Sequence, residues 1–133
     1  MDEGKKNCLM KLVGRIGLSA IFIMGGWSKI TGFAGMVAYA ASMGVPFAEL
    51  AIVIAIVVEL IGGLMLLVGY KTKWAALAIA VFLVPVTFIF HGNFADQTQM
   101  MAFMKNFAIF GGMLYVAAAG AGRYSLDEKK KAA

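Results

Sequence analysis

Residues 49–69 read ELAIVIAIVVELIGGLMLLVG, an apolar run with one internal charge, Glu59. A bilayer core about 30 Å thick takes about 20 mostly apolar residues in helical form, so the run has the length of one membrane crossing. Glu59 would then lie about halfway through it. A charge there costs about 2.5–3.5 kcal/mol on insertion scales, and such residues turn inward and take a partner. Gly62 and Gly63 follow three and four residues later on the same helix face. Their missing side chains let a neighbouring backbone approach, or admit a flat ring or a water beside the helix. The Glu59 face is therefore expected to meet another helix.

Three further runs have similar length: 12–30 (LVGRIGLSAIFIMGGWSKI), 74–91 (WAALAIAVFLVPVTFIFH) and 106–121 (NFAIFGGMLYVAAAGA). Composition agrees, with 62% hydrophobic and 14% charged residues and a mean hydropathy of +0.85. Few soluble domains are built this way. The expected fold class is all-α, an integral membrane four-helix bundle forming a single membrane domain over residues 1–133, with polar tails at 1–11 and 122–133. Residues 31–48 are too apolar for a solvated loop and too short to span. Phe33, Met36, Val37, Ala40 and Ala41 mark a short interfacial or re-entrant helix there, turned into span two by Gly44 and Pro46. Pro85 is expected to bend span three.

The net charge of +5 is explained by topology. With the N-terminus inside, Lys5, Lys6, Lys11, Arg15, Lys71, Lys73, Arg123 and Lys129 to Lys131 all fall on the cytoplasmic side, leaving Lys29 and Lys105 outside. That distribution predicts a multi-pass protein of the bacterial inner (cytoplasmic) membrane with both termini in the cytoplasm. The lipid bilayer is its first partner, and no nucleic-acid stripe is formed. Cys8 is the single cysteine, which excludes an intramolecular disulfide and a CxxC pair. The basic start resembles a secretory signal, but Lys29 and further residues separate the apolar run from the Ala38/Ala40 pattern, so cleavage is not expected.

On span one, Arg15, Ser19, Phe22, Gly26 and Lys29 recur at helical spacing and form one stripe. Aligned by apolar run, Arg15 and Glu59 differ in depth by about 8 Å, which makes Arg15 the first expected partner of Glu59 and Lys29 the second. The pair either fixes helix packing alone or lines a polar pocket that handles a proton or a ligand. At the outer ends, Lys29, Glu49, His91, Lys105 and Asn106, with Trp27, could converge on one mouth. Lone His91 and the methionines Met100, Met101 and Met104 make no metal set, so no metal is expected.

Arg15 with Gly17, Gly25–Gly26 and Lys29, Gly44 and Pro46, Glu59-x-x-Gly62-Gly63 with Gly69, Lys105–Asn106 and the ending G-A-G-R-Y-S-L-D together resemble the DoxX family of small bacterial membrane proteins. The likeness runs over roughly residues 10–128, and Ala121 stands where that family often has proline. The resemblance implies a four-helix membrane bundle and, through the family's association with a quinol oxidase, a link to quinones. No axial histidine pair for haem and no flavin or nicotinamide loop is visible, leaving quinone or quinol as the cofactor implied.

Two functions follow. In the first, the chain is a quinone/quinol-linked redox component, an oxidoreductase subunit acting with a partner subunit. Glu59 and His91 are then the catalytic candidates, exchanging protons or bonding a carbonyl oxygen, and Arg15, Lys29, Trp27, Lys105 and Asn106 are the ligand-binding ones. In the second, it is a non-catalytic scaffold, assembly factor or small-solute carrier whose charges only organise the bundle. A homo-oligomer stays open in both.

Overall fold

A computed structural model describes residues 2–132, with side chains through Lys129. Lys130 and Lys131, counted above in the basic tail, lie outside the described side chains. Helix α1 spans Glu3–Thr31. It starts well before the apolar run and takes in most of the expected polar tail, because Asp2 caps it: the Lys5 amide donates to Asp2 Oδ1 at 2.7 Å. Glu3 in the first turn adds favourable charge at that end.

Helix α2, Phe33–Ser42, is the short apolar helix expected between the first two spans. Ala40 is buried and Phe33, Met36 and Val37 are half-buried, whereas Ala41, expected on the same face, is exposed. Gly44 (φ +84°) and Phe47 (φ +49°) then turn the chain into α3, Ala48–Val68. One turn of α3, Val57–Ile61, is π-helical. The helix stops at Gly69 (φ +74°), whose left-handed conformation costs an achiral residue little.

Helix α4, Thr72–Phe90, runs unbroken through Pro85, which leaves the Val81 carbonyl without its helical donor. Helix α5, Gln97–Ala119, begins within the expected outer connection because Asp96 caps it, accepting from the Thr98 amide at 2.9 Å. A short helix, α6, Leu126–Ala132, follows in the expected polar tail.

Helices α1, α3, α4 and α5 are each long and apolar enough to cross a bilayer. Their core is built from Phe22, Leu66, Ala76, Ile79, Ala80, Leu83 and Met113. On α4 the buried positions Ala75, Ala76, Ile79, Ala80 and Leu83 follow helical spacing, and the alanines let neighbours pack closely. Large apolar side chains such as Met24, Val81 and Phe88 stay on the outside, where lipid rather than water is their solvent.

Candidate functional site

The stripe read on span one is the buried face of α1: Arg15, Ser19, Phe22 and Gly26 are all buried. Glycines bring this face against α3. A Cβ on Gly26 would lie 2.8 Å from Leu60 Cβ and 2.9 Å from its amide nitrogen, and one on Gly63 would lie 3.0 Å from Ile23 Cγ1. Gly62 instead faces Ile79 of α4, 3.3 Å from where its Cβ would be. The space beside Gly62 and Gly63 is thus filled by isoleucines, not open to a ring or a water as expected.

Glu59 sits in the π-helical turn, where the wider winding re-aims side chains and which recurs at functional sites. Its Oε2 pairs with Lys29 Nζ at 2.8 Å, both side chains being largely shielded. Gly25, one turn before Lys29, lies against the other carboxylate oxygen, so that a Cβ there would come within 2.9 Å of Oε1. The partner of Glu59 is therefore Lys29, not Arg15.

This pair lines a cavity of about 410 Å³ bounded by α1, α2, α3 and α4. Most of its wall is apolar: Met36, Tyr39 and Ala40 from α2, Ile52 and Ala55 from α3, Phe82, Pro85 and Phe90 from α4. His91, which follows α4, supplies a third polar group. Burial first, and the nearby charge of Lys105 second, hold the His91 imidazole below its ordinary range. The rings of Tyr39 and Phe90 stack with centroids 5.6 Å apart and planes 26° from parallel.

The remaining expected mouth residues do not line this cavity. Trp27 is 61% exposed, because two positions along a helix from Lys29 is nearly the opposite face. Glu49 and Lys105 are exposed. Asn106 donates through Nδ2 to Thr87 Oγ1 at 3.1 Å and borders a separate cleft of about 200 Å³ with Phe103, Phe107 and Phe110. Among the described residues no group of three or more His, Cys, Asp and Glu side chains is placed to hold a metal. Sequence reasoning missed Tyr39 and Phe90 as cavity residues and Gly25 as the neighbour of the Glu59 carboxylate. The spacing Met36–Tyr39–Ala40 was the available signal for one wall.

Arg15 has a different task. Its Nε donates to the Ala121 carbonyl at 3.0 Å, its Nη1 to the Leu66 and Leu67 carbonyls at 3.0 and 2.8 Å, and its Nη2 to the Tyr124 carbonyl. The guanidinium thereby satisfies carbonyls that the end of α3 leaves without helical donors. Gly69 makes room: a Cβ there would lie 3.0 Å from Nη1 and would collide with Ser125 Cβ. The closing segment completes the joint. Asp127 accepts from the amides of Lys71 and Thr72 at 2.6 and 2.9 Å, and its own amide donates to the Gly69 carbonyl at 2.8 Å.

The family model for DoxX matches residues 10–92, and the inner membrane protein YqjF of Escherichia coli strain K12 is 46% identical over 116 residues, covering 87% of this chain and 88% of that protein. The chain belongs to the DoxX family. A second similar protein is the inner membrane protein YphA of the same strain, 34% identical over 134 residues, with 96% of this chain and 95% of that protein covered. The ER-derived vesicles protein ERV29 of Saccharomyces cerevisiae is 36% identical over 81 residues, 57% of this chain and 26% of that protein. No solved structure matches. The DoxX match contains Lys29, Glu59 and His91 and ends before Asn106 and the segment that receives Arg15.

Proposed function

We propose that the cavity between α1, α2, α3 and α4 binds the head group of a quinone or quinol and that Glu59 exchanges its proton. The observation that carries this reading is that the Lys29–Glu59 pair lines an apolar cavity instead of being packed over. The cavity lies within the size range of small-molecule sites, about 300–1,000 Å³ in which a few polar groups fix the ligand's orientation. Oxidation of a quinol to a quinone releases two protons and two electrons. Glu59 would take one proton while Lys29 keeps the site's charge balanced, and His91 would take the other or bond a ring oxygen. The electrons would pass to a partner subunit; without one, the chain binds quinone and does not turn it over. The distribution of basic residues supports termini in the cytoplasm, which a reporter fused after Lys131 would test.

Arg15 supports a second reading, a scaffold or assembly factor, since its buried guanidinium is spent on four main-chain carbonyls at a joint between helices. Quinone titration of native protein and Glu59→Gln across pH separates the two. A pH-dependent loss of affinity in the variant supports the quinone reading. No binding by either protein, with normal folding of both, leaves the scaffold.

A further inference from the structure

The rim of the Lys29–Glu59 cavity is apolar where a water-facing site would be polar. Tyr39, Ile54 and Ile89 line it while remaining 47%, 50% and 42% exposed. These side chains point partly inward to the cavity and partly outward to the surroundings of a membrane bundle. The wall they interrupt is made on one side by α2, joined to the spans by Gly32 and by the Met43–Phe47 turn with its two left-handed residues, Gly44 and Phe47. Ala40 is the one buried residue of α2. Across the rim, the stack of Tyr39 on Phe90 bridges α2 to the end of α4.

We propose that this cavity is loaded sideways from the bilayer, between α2 and α4, and that the Tyr39–Phe90 stack sets the rate of access to Glu59. The ligand class that follows is a membrane-dissolved molecule without fixed charge, carrying a flat ring that can take the place of one partner in the stack as it passes. An aqueous solute would have to cross an apolar rim to reach the ion pair. The inference rests on the same cavity as the quinone reading and deepens it, but the access route holds or fails whatever the ligand is.

Dicyclohexylcarbodiimide, a lipophilic reagent, tests the route without any quinone. A carboxyl oxygen of Glu59 adds to its central carbon while the acid proton moves to a reagent nitrogen. The O-acylisourea then either rearranges to an N-acylurea, which keeps one whole reagent molecule on the protein, or is attacked by Lys29 Nζ, 2.8 Å from the carboxylate. That attack expels dicyclohexylurea and leaves an amide, with net loss of one water. Either change in intact mass, localised to Glu59, counts as labelling. Glu59→Gln supplies the blank. We expect native protein in lipid vesicles to label at Glu59 with this reagent and not with a charged, water-soluble carbodiimide. Tyr39→Ala and Phe90→Ala should label about two- to tenfold faster, the factor by which an aromatic pair stabilises a closed arrangement. In a Cys8→Ser background, Tyr39→Cys with Phe90→Cys joined by a short thiol-reactive linker should label more slowly than the unlinked form. Unchanged rates in the alanine variants, faster labelling from water than from lipid, or no labelling of Glu59 in any form overturns lateral access. Failure of quinone to bind while the labelling pattern holds overturns only the quinone assignment.

Discussion

Gly25 stands against Glu59 so closely that a Cβ would lie 2.9 Å from Oε1 and 3.9 Å from Lys29 Nζ. Its neighbour Gly26 is equally tight, but against the backbone of Leu60. The two glycines therefore predict different failures. Gly25→Ala displaces the end of a side chain, so the bundle should fold with its ion pair disturbed and, under the proposed quinone function, with quinone affinity lowered. Gly26→Ala forces helices apart and should cost about 1–3 kcal/mol of stability. Thermal unfolding in mild detergent beside a quinone titration checks both, and identical behaviour of the two variants would contradict the assignment.

Removing one member of the Lys29–Glu59 pair leaves the other charge shielded without a partner. Lys29→Met or Glu59→Gln alone should cost up to about 3–5 kcal/mol, since each strands one full charge. The double variant should recover part of that loss. A double-mutant cycle in unfolding free energy with no coupling would show that the contact contributes nothing.

Arg15→Lys keeps the charge but loses the planar fork that reaches four carbonyls on two segments. Each carbonyl left without a donor should cost about 1–3 kcal/mol, and Gly69→Ala should destabilise the same joint by driving Ser125 and the guanidinium away. Native melting temperatures in both variants would mean that the joint does not hold the bundle.

The fold was legible in the sequence because a bilayer imposes length, and because the Arg15–Ser19–Phe22–Gly26 spacing needs no knowledge of the partner to mark a buried face. The pairing of Glu59 was not. Depth measured from apolar runs placed Arg15 near it, yet the acceptors of Arg15 are main-chain oxygens, which every residue carries and no residue type announces. Gly69 was the one hint, since a helix ending inside the bundle leaves carbonyls that need a donor. Of the mouth expected from Lys29, Glu49, His91, Lys105 and Asn106 with Trp27, the cavity takes only Lys29 and His91, because shared depth does not fix helical phase. Asn106 turns toward Thr87 and away from the cavity that His91 lines.

His91 provides a pH test. Its folded-state pKa is held below the ordinary value of 6.5, by burial and then by Lys105. The neutral imidazole is thus favoured in the folded protein, so its contribution to stability is fully present above about pH 6.5 and is lost as pH falls through the lower folded value. Lys105→Gln should raise the His91 titration midpoint, followed by NMR of the single histidine. An unchanged midpoint would mean that the lysine charge is not felt there.

Arg15 lies in the first crossing, whereas two of its acceptors, Ala121 and Tyr124, are made only after the fourth. Until the ribosome delivers that segment, the first span carries a guanidinium with only the Leu66 and Leu67 oxygens to receive it. A chain released before Ala121 could hold all four crossings and still lack the joint that closes them. Closure of this end of the bundle therefore waits on residues 121–127, which follow the fourth crossing and tie the first crossing to the end of the second.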